Sequence, residues 1–224
     1  GTGAESTIVV KGFFVDGEHD HGRACAVKKM VTHSCSEEAM REIQTLLLLA
    51  PHPNIVKYYF KEEAEGFIYL ALELCDGTLH NVVPPFLLNP ISKTDKISIL
   101  SQVLEALKFL HGQNISHRDI KPANILVNRS VQTANVKLAD MGFAKQLDSS
   151  LGSASVVSRS KGWQPAEVLE FFDAKAQNLD PEPVEPMAID LFSVGLVIFW
   201  LFTDGKFHPF GGGMKTEPNI AENK

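Results

Sequence analysis

The segment 115–126, which reads ISHRDIKPANIL, brings an acid, a lysine and an amide together in one short stretch. Asp119 can orient a hydroxyl group and accept its proton, and Lys121 can neutralise a phosphoryl group in transit. Asn124 offers an amide oxygen, which Mg²⁺ accepts as a ligand. Phosphoryl transfer to a hydroxyl requires these three functions, so this segment is the first candidate for chemistry.

A second oxygen ligand follows further along the chain. Asp140 comes directly after the strand-like run 136–138, so its carboxylate is expected at a strand end. Mg²⁺ prefers a few hard oxygen ligands together with substrate phosphates, so one carboxylate and one amide are sufficient. Asn124 and Asp140 are therefore the predicted metal ligands.

Two upstream features would serve a nucleotide. Lys28 lies in an apolar strand, where its ammonium must either reach solvent at an edge or find an anion in a cleft. Glu42 lies beside the apolar stripe of the following helix, and an ion pair between the two would hold the lysine for the α and β phosphates. The opening GTGAESTI is by itself a weak match to a glycine-rich phosphate loop, with Ser6 where a third glycine is usual.

The elements that must carry these residues change in type along the chain. Runs of β-branched and aromatic residues predict strands over residues 7–15, 24–31, 55–60 and 67–74. A capping box at Ser34 begins a helix that carries Glu42 and ends at Pro51. The acidic residues 62–66 predict a turn between the last two strands.

The second half of the chain has a helical pattern. A helix is predicted over about 92–111, with Gly112 as its stop. Its apolar face contains Leu100, Val103, Leu104, Leu107 and Leu110. The apolar run 189–202 predicts a buried helix, and the acidic, proline-rich stretch 173–186 predicts an exposed loop. The result is an α+β chain with a β-rich lobe over 1–74, a hinge at 75–77 and a larger α-helical lobe over 78–224.

Composition excludes several classes of protein. The 224 residues are 44% hydrophobic and 21% charged with a net charge of −6, which is typical of globular domains and not of collagen-like or disordered chains. The acidic balance argues against a surface that binds nucleic acid or an anionic membrane. Three cysteines match no zinc or disulfide framework, which favours a reducing compartment such as the cytosol. The run 189–202 is too short to span a membrane.

In order and spacing, these segments resemble the signature set of the protein kinases over nearly the whole chain. The resemblance implies a bilobal kinase fold, ATP or ADP with Mg²⁺ as cofactors, Asp119 as catalytic base and Lys121 as a phosphate contact. Lys28 and Glu42 would form the nucleotide-orienting pair, and a lysine two residues after the aspartate is the serine/threonine variant. The implied nucleotide-binding residues are Gly1, Gly3, Ser6, Ile8, Ala26, Lys28, the gatekeeper Leu72, the hinge residues Glu73 and Cys75, Asn124, Leu126 and Asp140.

A finer resemblance is to the inositol-requiring kinase and endoribonuclease stress sensors of the unfolded-protein response. The stretches that carry it are 3–9, 71–75 with Thr78 and Leu79, Gly162 with Trp163, 190–195 and 208–211. It implies a kinase on the cytosolic face of the endoplasmic reticulum membrane that phosphorylates another copy of itself. Through nucleotide binding and dimerisation, that kinase would activate a ribonuclease domain placed after it.

Three departures from the kinase pattern lead to expectations. Met141 replaces the usual phenylalanine, and a flexible thioether is expected to fill that apolar position. The order Pro165-Ala166-Glu167 replaces Ala-Pro-Glu, with Glu167 expected as a buried carboxylate whose usual arginine partner lies in absent final helices. The first strand is also expected to be missing. Because the apolar helix over 191–202 should lack packing partners from the missing final helices, the chain should be marginally stable.

Control by phosphorylation is a further expectation, because the Arg118 guanidinium beside Asp119 can receive a phosphate bidentately. The candidate acceptors are Ser149, Ser150, Ser153, Ser155, Ser158 and Ser160. Two other functions stay open beside a serine/threonine kinase. One is a nucleotide-binding dimerisation module that switches an attached endoribonuclease, and the other is a pseudokinase scaffold.

Overall fold

An antiparallel sheet forms the first part of the fold. The computed structural model describes residues 8–15, 22–31, 43–45, 49, 51–83, 91–129, 134–146, 160–181, 183–212 and 216–222. Four strands in the spatial order β1-β2-β4-β3 make up the sheet, namely β1 (Ile8–Phe14), β2 (Arg23–Val31), β3 (Tyr58–Ala64) and β4 (Phe67–Glu73). Strand β2 carries Lys28 opposite Leu70 of β4.

The interior of this sheet depends on β4, which pairs on both sides and buries Ile68, Leu70 and Ala71. The predicted strand start at residue 55 is wrong, because Ile55 forms only an isolated bridge to Leu138 and β3 begins at Tyr58. The predicted acidic turn is also shorter than expected. Residues 62–64 belong to β3 and only residues 65–66, both with positive φ, make the turn.

The remaining elements are mostly helical, which confirms the predicted α+β organisation. The helices are α1 (Leu79–Val82), α2 (Lys93–Gly112), α3 (Ala166–Ala176), α4 (Pro186–Phe202) and α5 (Thr216–Ala221). The short strands are β5 (Gly77–Thr78), β6 (Ile115–Ser116), β7 (Ile125–Arg129), β8 (Ala134–Leu138) and β9 (Lys145–Gln146), with β5 and β8 flanking β7, and β6 paired to β9.

Helix α2 begins where its sequence predicts, because the Ser92 hydroxyl accepts a hydrogen bond from the Asp95 backbone N–H at 3.1 Å. Its predicted end at Gly112 is wrong by a residue or two. Gly112 is the last helical residue, and Asn114 takes the left-handed conformation (φ 56°). Leu104 is 44% exposed, so the buried stripe runs through Val103 and its helical neighbours without it.

Helix α4 is apolar apart from Asp190 and Ser193 but is buried on one side only, so the prediction of a buried helix is partly wrong. Ile189, Val197 and Leu201 are buried, whereas Leu191 is 59% and Phe199 43% exposed. The predicted loop over 173–186 is also partly helix, because α3 continues to residue 176. None of the helices in the described ranges is both long and apolar enough to cross a membrane.

A glycine after α4 provides a test of packing. Gly205 has φ 70°, and a Cβ built on it would lie 2.7 Å from the Val83 carbonyl oxygen and 2.9 Å from the Trp200 ring. We expect Gly205→Ala to lower the free energy of unfolding by about 2–4 kcal/mol, since left-handed strain and the clash add.

Denaturant titration measures this change, and Gly195→Ala is the matched control. Gly195 lies within α4 with open space around its Cβ position, so the same substitution there should stabilise by about 0.5–1 kcal/mol. Equal effects at the two glycines would contradict the packing argument.

Candidate active site

The acid predicted for chemistry lies at the centre of a buried hydrogen-bond cluster. Asp119 is 4% exposed and follows β6 in the loop that leads to a short 3₁₀ turn at Pro122–Asn124. Its Oδ2 accepts from Lys121 Nζ at 2.8 Å and from Asn124 Nδ2 at 2.8 Å. Two side chains of the loop therefore donate to the carboxylate of the third.

A fourth residue joins this cluster from forty positions away. The Ser160 hydroxyl donates to Asp119 Oδ1 at 2.5 Å and accepts from Lys121 Nζ at 2.6 Å. The sequence predicts Ser160 to be one of several regulatory serines, but in the structure its side chain contacts Asp119 and Lys121. Ser149, Ser150, Ser153, Ser155 and Ser158 lie outside the described residues.

Asn124 is oriented as a metal ligand requires. Its amide N–H groups donate to the Asp119 backbone carbonyl at 2.9 Å and to the Asp119 carboxylate, so the amide oxygen is left to accept. Asp140 begins the next 3₁₀ turn, at the end of the segment that follows β8, with φ 66°. One amide oxygen and one carboxylate are hard ligands that fit Mg²⁺.

Lys28 reaches this second acid across the fold. Its Nζ lies 3.2 Å from Asp140 Oδ1, and its side chain is 14% exposed. Burial alone would raise the pKa of Asp140, but the charge and hydrogen bond of Lys28 lower it below its ordinary value. Asp140 is thus an anion at neutral pH. Glu42, the predicted partner of Lys28, lies outside the described residues.

Several of the predicted adenine-binding residues lie on strands next to residues 75–77. Ala26 of β2 is paired with Leu72 of β4, and Glu73 ends that strand. Leu126 of β7 pairs with Thr78, directly after residue 77. Ile8 is 53% exposed at the start of β1, and Gly1, Gly3 and Ser6 lie outside the described residues.

Cys75 follows β4 and is partly buried. Burial raises the pKa of its thiol to about 11, with the Glu73 carboxylate acting in the same direction. Cys75 is therefore an uncharged thiol at neutral pH and is not an activated nucleophile. This state suits the apolar surroundings expected of an adenine site.

One functional residue was missed by sequence reasoning. Asp190 of α4 is fully buried, and its Oδ2 accepts from His111 Nε2, the Ser116 hydroxyl and the His117 backbone N–H, each at 2.9 Å. Its Oδ1 accepts from the Arg118 backbone N–H at 2.6 Å. A lone acid in an apolar helix was the available signal, because such a charge must be satisfied from elsewhere.

His117 links the two acidic segments. Its Nδ1 accepts from the Asp119 backbone N–H at 3.3 Å, so the neutral ring carries its proton on Nε2. That nitrogen lies 3.1 Å from the carbonyl oxygen of Ala139, the residue before Asp140. The imidazole therefore holds the catalytic loop and the Asp140 turn in one arrangement.

A model of the protein kinase domain matches residues 1–223 of the chain. The chain belongs to the protein kinase family. It is 34% identical to the probable serine/threonine-protein kinase ireA of Dictyostelium discoideum and 33% identical to the serine/threonine-protein kinase/endoribonuclease IRE2 of Homo sapiens. It is also 32% identical to the sensor for unfolded proteins in the ER ire1 of Schizosaccharomyces pombe. The matches cover 98–100% of this kinase chain but only 22–24% of each relative, so it spans about a quarter of their length.

The bilobal kinase fold predicted from the resemblance is confirmed by this membership and by the sheet and helices described above. Met141, which replaces the usual kinase phenylalanine, is fully buried in the main apolar core, as expected of a thioether that fills the position. The expectation for Glu167 is wrong, because its side chain is exposed in the first turn of α3. A carboxylate there is stabilised by the helix dipole and solvent.

Arg118, predicted to receive a regulatory phosphate, is 2% exposed with φ 62°. Its Nε donates to the Phe143 carbonyl oxygen at 2.7 Å, next to the Asp140 turn. Among the candidate acceptor serines, all except Ser160 lie outside the described residues. The role of Arg118 as a phosphate receptor therefore stays a prediction. In the arrangement seen here, the arginine holds the kinase's catalytic loop against the following turn.

Replacing Ser160 tests its place in this kinase site. We expect Ser160→Ala to lower kcat about tenfold with little change in the KM for ATP, because Asp119 and Lys121 each lose a charge-assisted hydrogen bond. Steady-state assays with a peptide substrate measure both values. Ser160→Thr retains the hydroxyl and should keep most activity, and Ser101→Ala on the exposed face of α2 is the matched control. An unchanged kcat in Ser160→Ala would contradict the assignment.

Proposed function

We propose that this chain transfers the γ-phosphoryl group of ATP to serine or threonine hydroxyl groups, with Mg²⁺ as the metal cofactor. The observation that carries the proposal is the contact of the Ser160 hydroxyl with Asp119 and Lys121. This contact holds a carboxylate and an ammonium group side by side. A base that takes a proton beside a cation that approaches the oxygen is the pair that a hydroxyl acceptor needs.

Each side chain has a definable task in that reaction. The Asp119 carboxylate orients the acceptor hydroxyl and takes its proton, while Lys121 places positive charge beside the oxygen that receives the phosphoryl group. Asn124 and Asp140 would hold Mg²⁺, which supplies charge neutralisation at the nucleotide phosphates. Lys28, whose Nζ lies 3.2 Å from Asp140 Oδ1, would contact the α and β phosphates of the nucleotide. Glu42 is its proposed partner.

The proposed substrate is the activation segment of another copy of the chain, over residues 147–159. The proposed setting is an unfolded-protein-response sensor on the cytosolic face of the endoplasmic reticulum. The similarity to a kinase/endoribonuclease and to a sensor for unfolded proteins supports this setting. We also propose that residues 75–77 form the hinge between a small lobe over 1–74 and a large lobe over 78–224.

A second candidate is a nucleotide-binding dimerisation module that switches an attached endoribonuclease. The similarity to a kinase/endoribonuclease supports this candidate. Phosphorylation would then be secondary to dimerisation. A pseudokinase scaffold is less favoured. Lys121 and Asn124 both donate to the Asp119 carboxylate, and Lys28 contacts Asp140. These contacts support a chain that retains the groups needed for phosphoryl transfer.

A mixing experiment tests transfer between copies. Wild-type chain and Mg-ATP are incubated with an excess of tagged Asp119→Asn chain, and mass spectrometry locates phosphate on the tagged copy. We expect phosphate between Ser149 and Ser158. The matched control is a tagged Asp119→Asn chain that also lacks the serines at 149, 150, 153, 155 and 158.

The outcomes separate the proposals. Phosphate on the tagged inactive copy supports transfer in trans, whereas phosphate confined to the wild-type copy would contradict it. If no phosphate appears on either copy although ADP binds, the kinase proposal fails and the nucleotide-binding module is favoured. Concentration-dependent dimerisation with ADP alone would support that second candidate.

A further inference from the structure

A cavity of about 430 Å³ lies away from the catalytic cluster, between the loop over residues 51–58, the end of β4 and strand β8. A volume of this size is typical of sites for small organic ligands. Asp119, Lys121, Asn124 and Asp140 do not line it. The loop is held to β8 by backbone hydrogen bonds from Val56 to Leu138 and from Leu138 to Asn54, so the cavity has a defined wall.

Lys137 contributes a hydrogen-bond donor to this cavity. Its Nζ donates to Glu73 Oε2 at 3.0 Å and to the Pro53 carbonyl oxygen at 2.8 Å. An ammonium has three N–H groups, so these two contacts leave one N–H to donate to a ligand. The Lys137 side chain is 13% exposed, and its contact with Pro53 lies at the exposed surface.

His52 supplies a second donor. Its Nδ1 accepts from the Asn54 backbone N–H at 3.1 Å, and its ring stacks on Phe109 at 4.7 Å. Burial lowers the pKa of His52, which favours the neutral ring with its proton on Nε2. Within the described part of the chain, no acceptor is recorded for that N–H.

The rest of the lining is aliphatic, aromatic or cationic. Leu49, Ile55 and Val56 provide aliphatic surface, Tyr58 adds a phenol, and Lys57 adds an ammonium group whose Nζ lies 5.5 Å from the centre of the Tyr59 ring. Among the described residues that line the cavity, Glu73 has the single carboxylate, and its Oε2 already accepts from Lys137 and from the Lys57 backbone N–H. With two lysines and one carboxylate, the lining carries more positive than negative charge.

We propose that this cavity binds a small organic anion with a carboxylate attached to a flat apolar ring system. The carboxylate would accept from Lys137 and His52, and the ring would lie against the aliphatic lining. A neutral amide presents donors where the site already has donors, so it would bind more weakly. Of the residues named for nucleotide binding, only Glu73 lines this cavity, so ligand and nucleotide should bind together.

Titration of 2-naphthoate into the 224-residue chain tests the proposal by binding alone, without any assay of kinase activity. We expect saturable binding with a Kd of about 1 mM or tighter, from the usual contribution per ligand atom. Lys137→Gln should weaken it about tenfold through loss of a charge-assisted hydrogen bond. Lys93→Gln is the matched control, since that lysine is exposed at the opposite end of α2 and should leave the Kd unchanged.

A second lysine variant, an uncharged analogue and competition with Mg-ADP complete the test. Lys57 is exposed, so Lys57→Gln should keep the fold and weaken binding several-fold even if Lys137→Gln unfolds. Weaker binding of 2-naphthamide and retained 2-naphthoate binding in saturating Mg-ADP support the site. The proposal is overturned if 2-naphthoate shows no saturable binding, or if 2-naphthamide binds equally well. It is also overturned if both Lys137→Gln and Lys57→Gln keep the wild-type Kd, or if Mg-ADP displaces 2-naphthoate.

Discussion

The Asp119→Asn variant is expected to lose phosphoryl transfer by about 10²–10⁴-fold while keeping its fold and its affinity for Mg-ADP. An amide cannot take the proton of the acceptor hydroxyl. The buried cluster can still be satisfied, because the new amide oxygen can accept from Lys121 and Asn124 while its N–H group donates to the Ser160 hydroxyl. Loss of rate without loss of binding is therefore the signature of a base.

Transfer to a peptide substrate, ADP titration and thermal unfolding measure the three quantities on one preparation. Asp180→Asn makes the same charge change at an exposed residue and should leave all three unchanged. If Asp119→Asn keeps transfer within tenfold of wild type, Asp119 is not the base. Loss of ADP binding in parallel with activity would instead indicate that the substitution disrupts the site as a whole.

The Asp190→Asn variant is expected to lower both stability and activity. In either orientation of its amide, an N–H group faces backbone or side-chain donors from the segment 116–118 in a fully buried position. An unsatisfied buried donor costs about 1–3 kcal/mol, and two opposed donors together should cost about 2–4 kcal/mol. Because Arg118 directly precedes Asp119, we also expect kcat to fall more than tenfold.

Assays well below the unfolding transition separate the two effects, since a merely destabilised protein would recover full kcat when it is folded. Asp173→Asn, an exposed aspartate on α3, is the matched control and should change stability by less than about 0.5 kcal/mol. Full kcat in folded Asp190→Asn would show that Asp190 supports the fold without positioning the catalytic loop.

Local features of the site could be predicted because their residues are close in sequence. Asp119, Lys121 and Asn124 lie within six positions, so one loop and one short turn are enough to bring their side chains together. The N-terminus of α2 is local in the same way, since the Ser92 hydroxyl accepts from the Asp95 backbone N–H within one turn. Such contacts depend on backbone geometry over a few residues, and residue types reveal them directly.

Contacts between distant segments could not be predicted in this way. Asp190 lies more than seventy positions from the backbone that it holds, and nothing in the local pattern of α4 identifies its partners. The exposed position of Glu167 and the exposed face of α4 also depend on which elements pack against them. The family pattern predicted that Glu167 is buried, but the elements that pack around α3 leave its side chain exposed.

The sequence by itself determined the chemistry of this protein, because an acid, a lysine, an amide and a second acid occur at spacings that suit phosphoryl transfer. It also determined the order of a β-rich part followed by a helical part, through hydrophobic periodicity. Only the tertiary structure placed Ser160 against Asp119 and Lys121, and Asp190 beneath the catalytic loop. The physical reason is that burial of a polar group requires partners, and the fold decides which distant residues supply them.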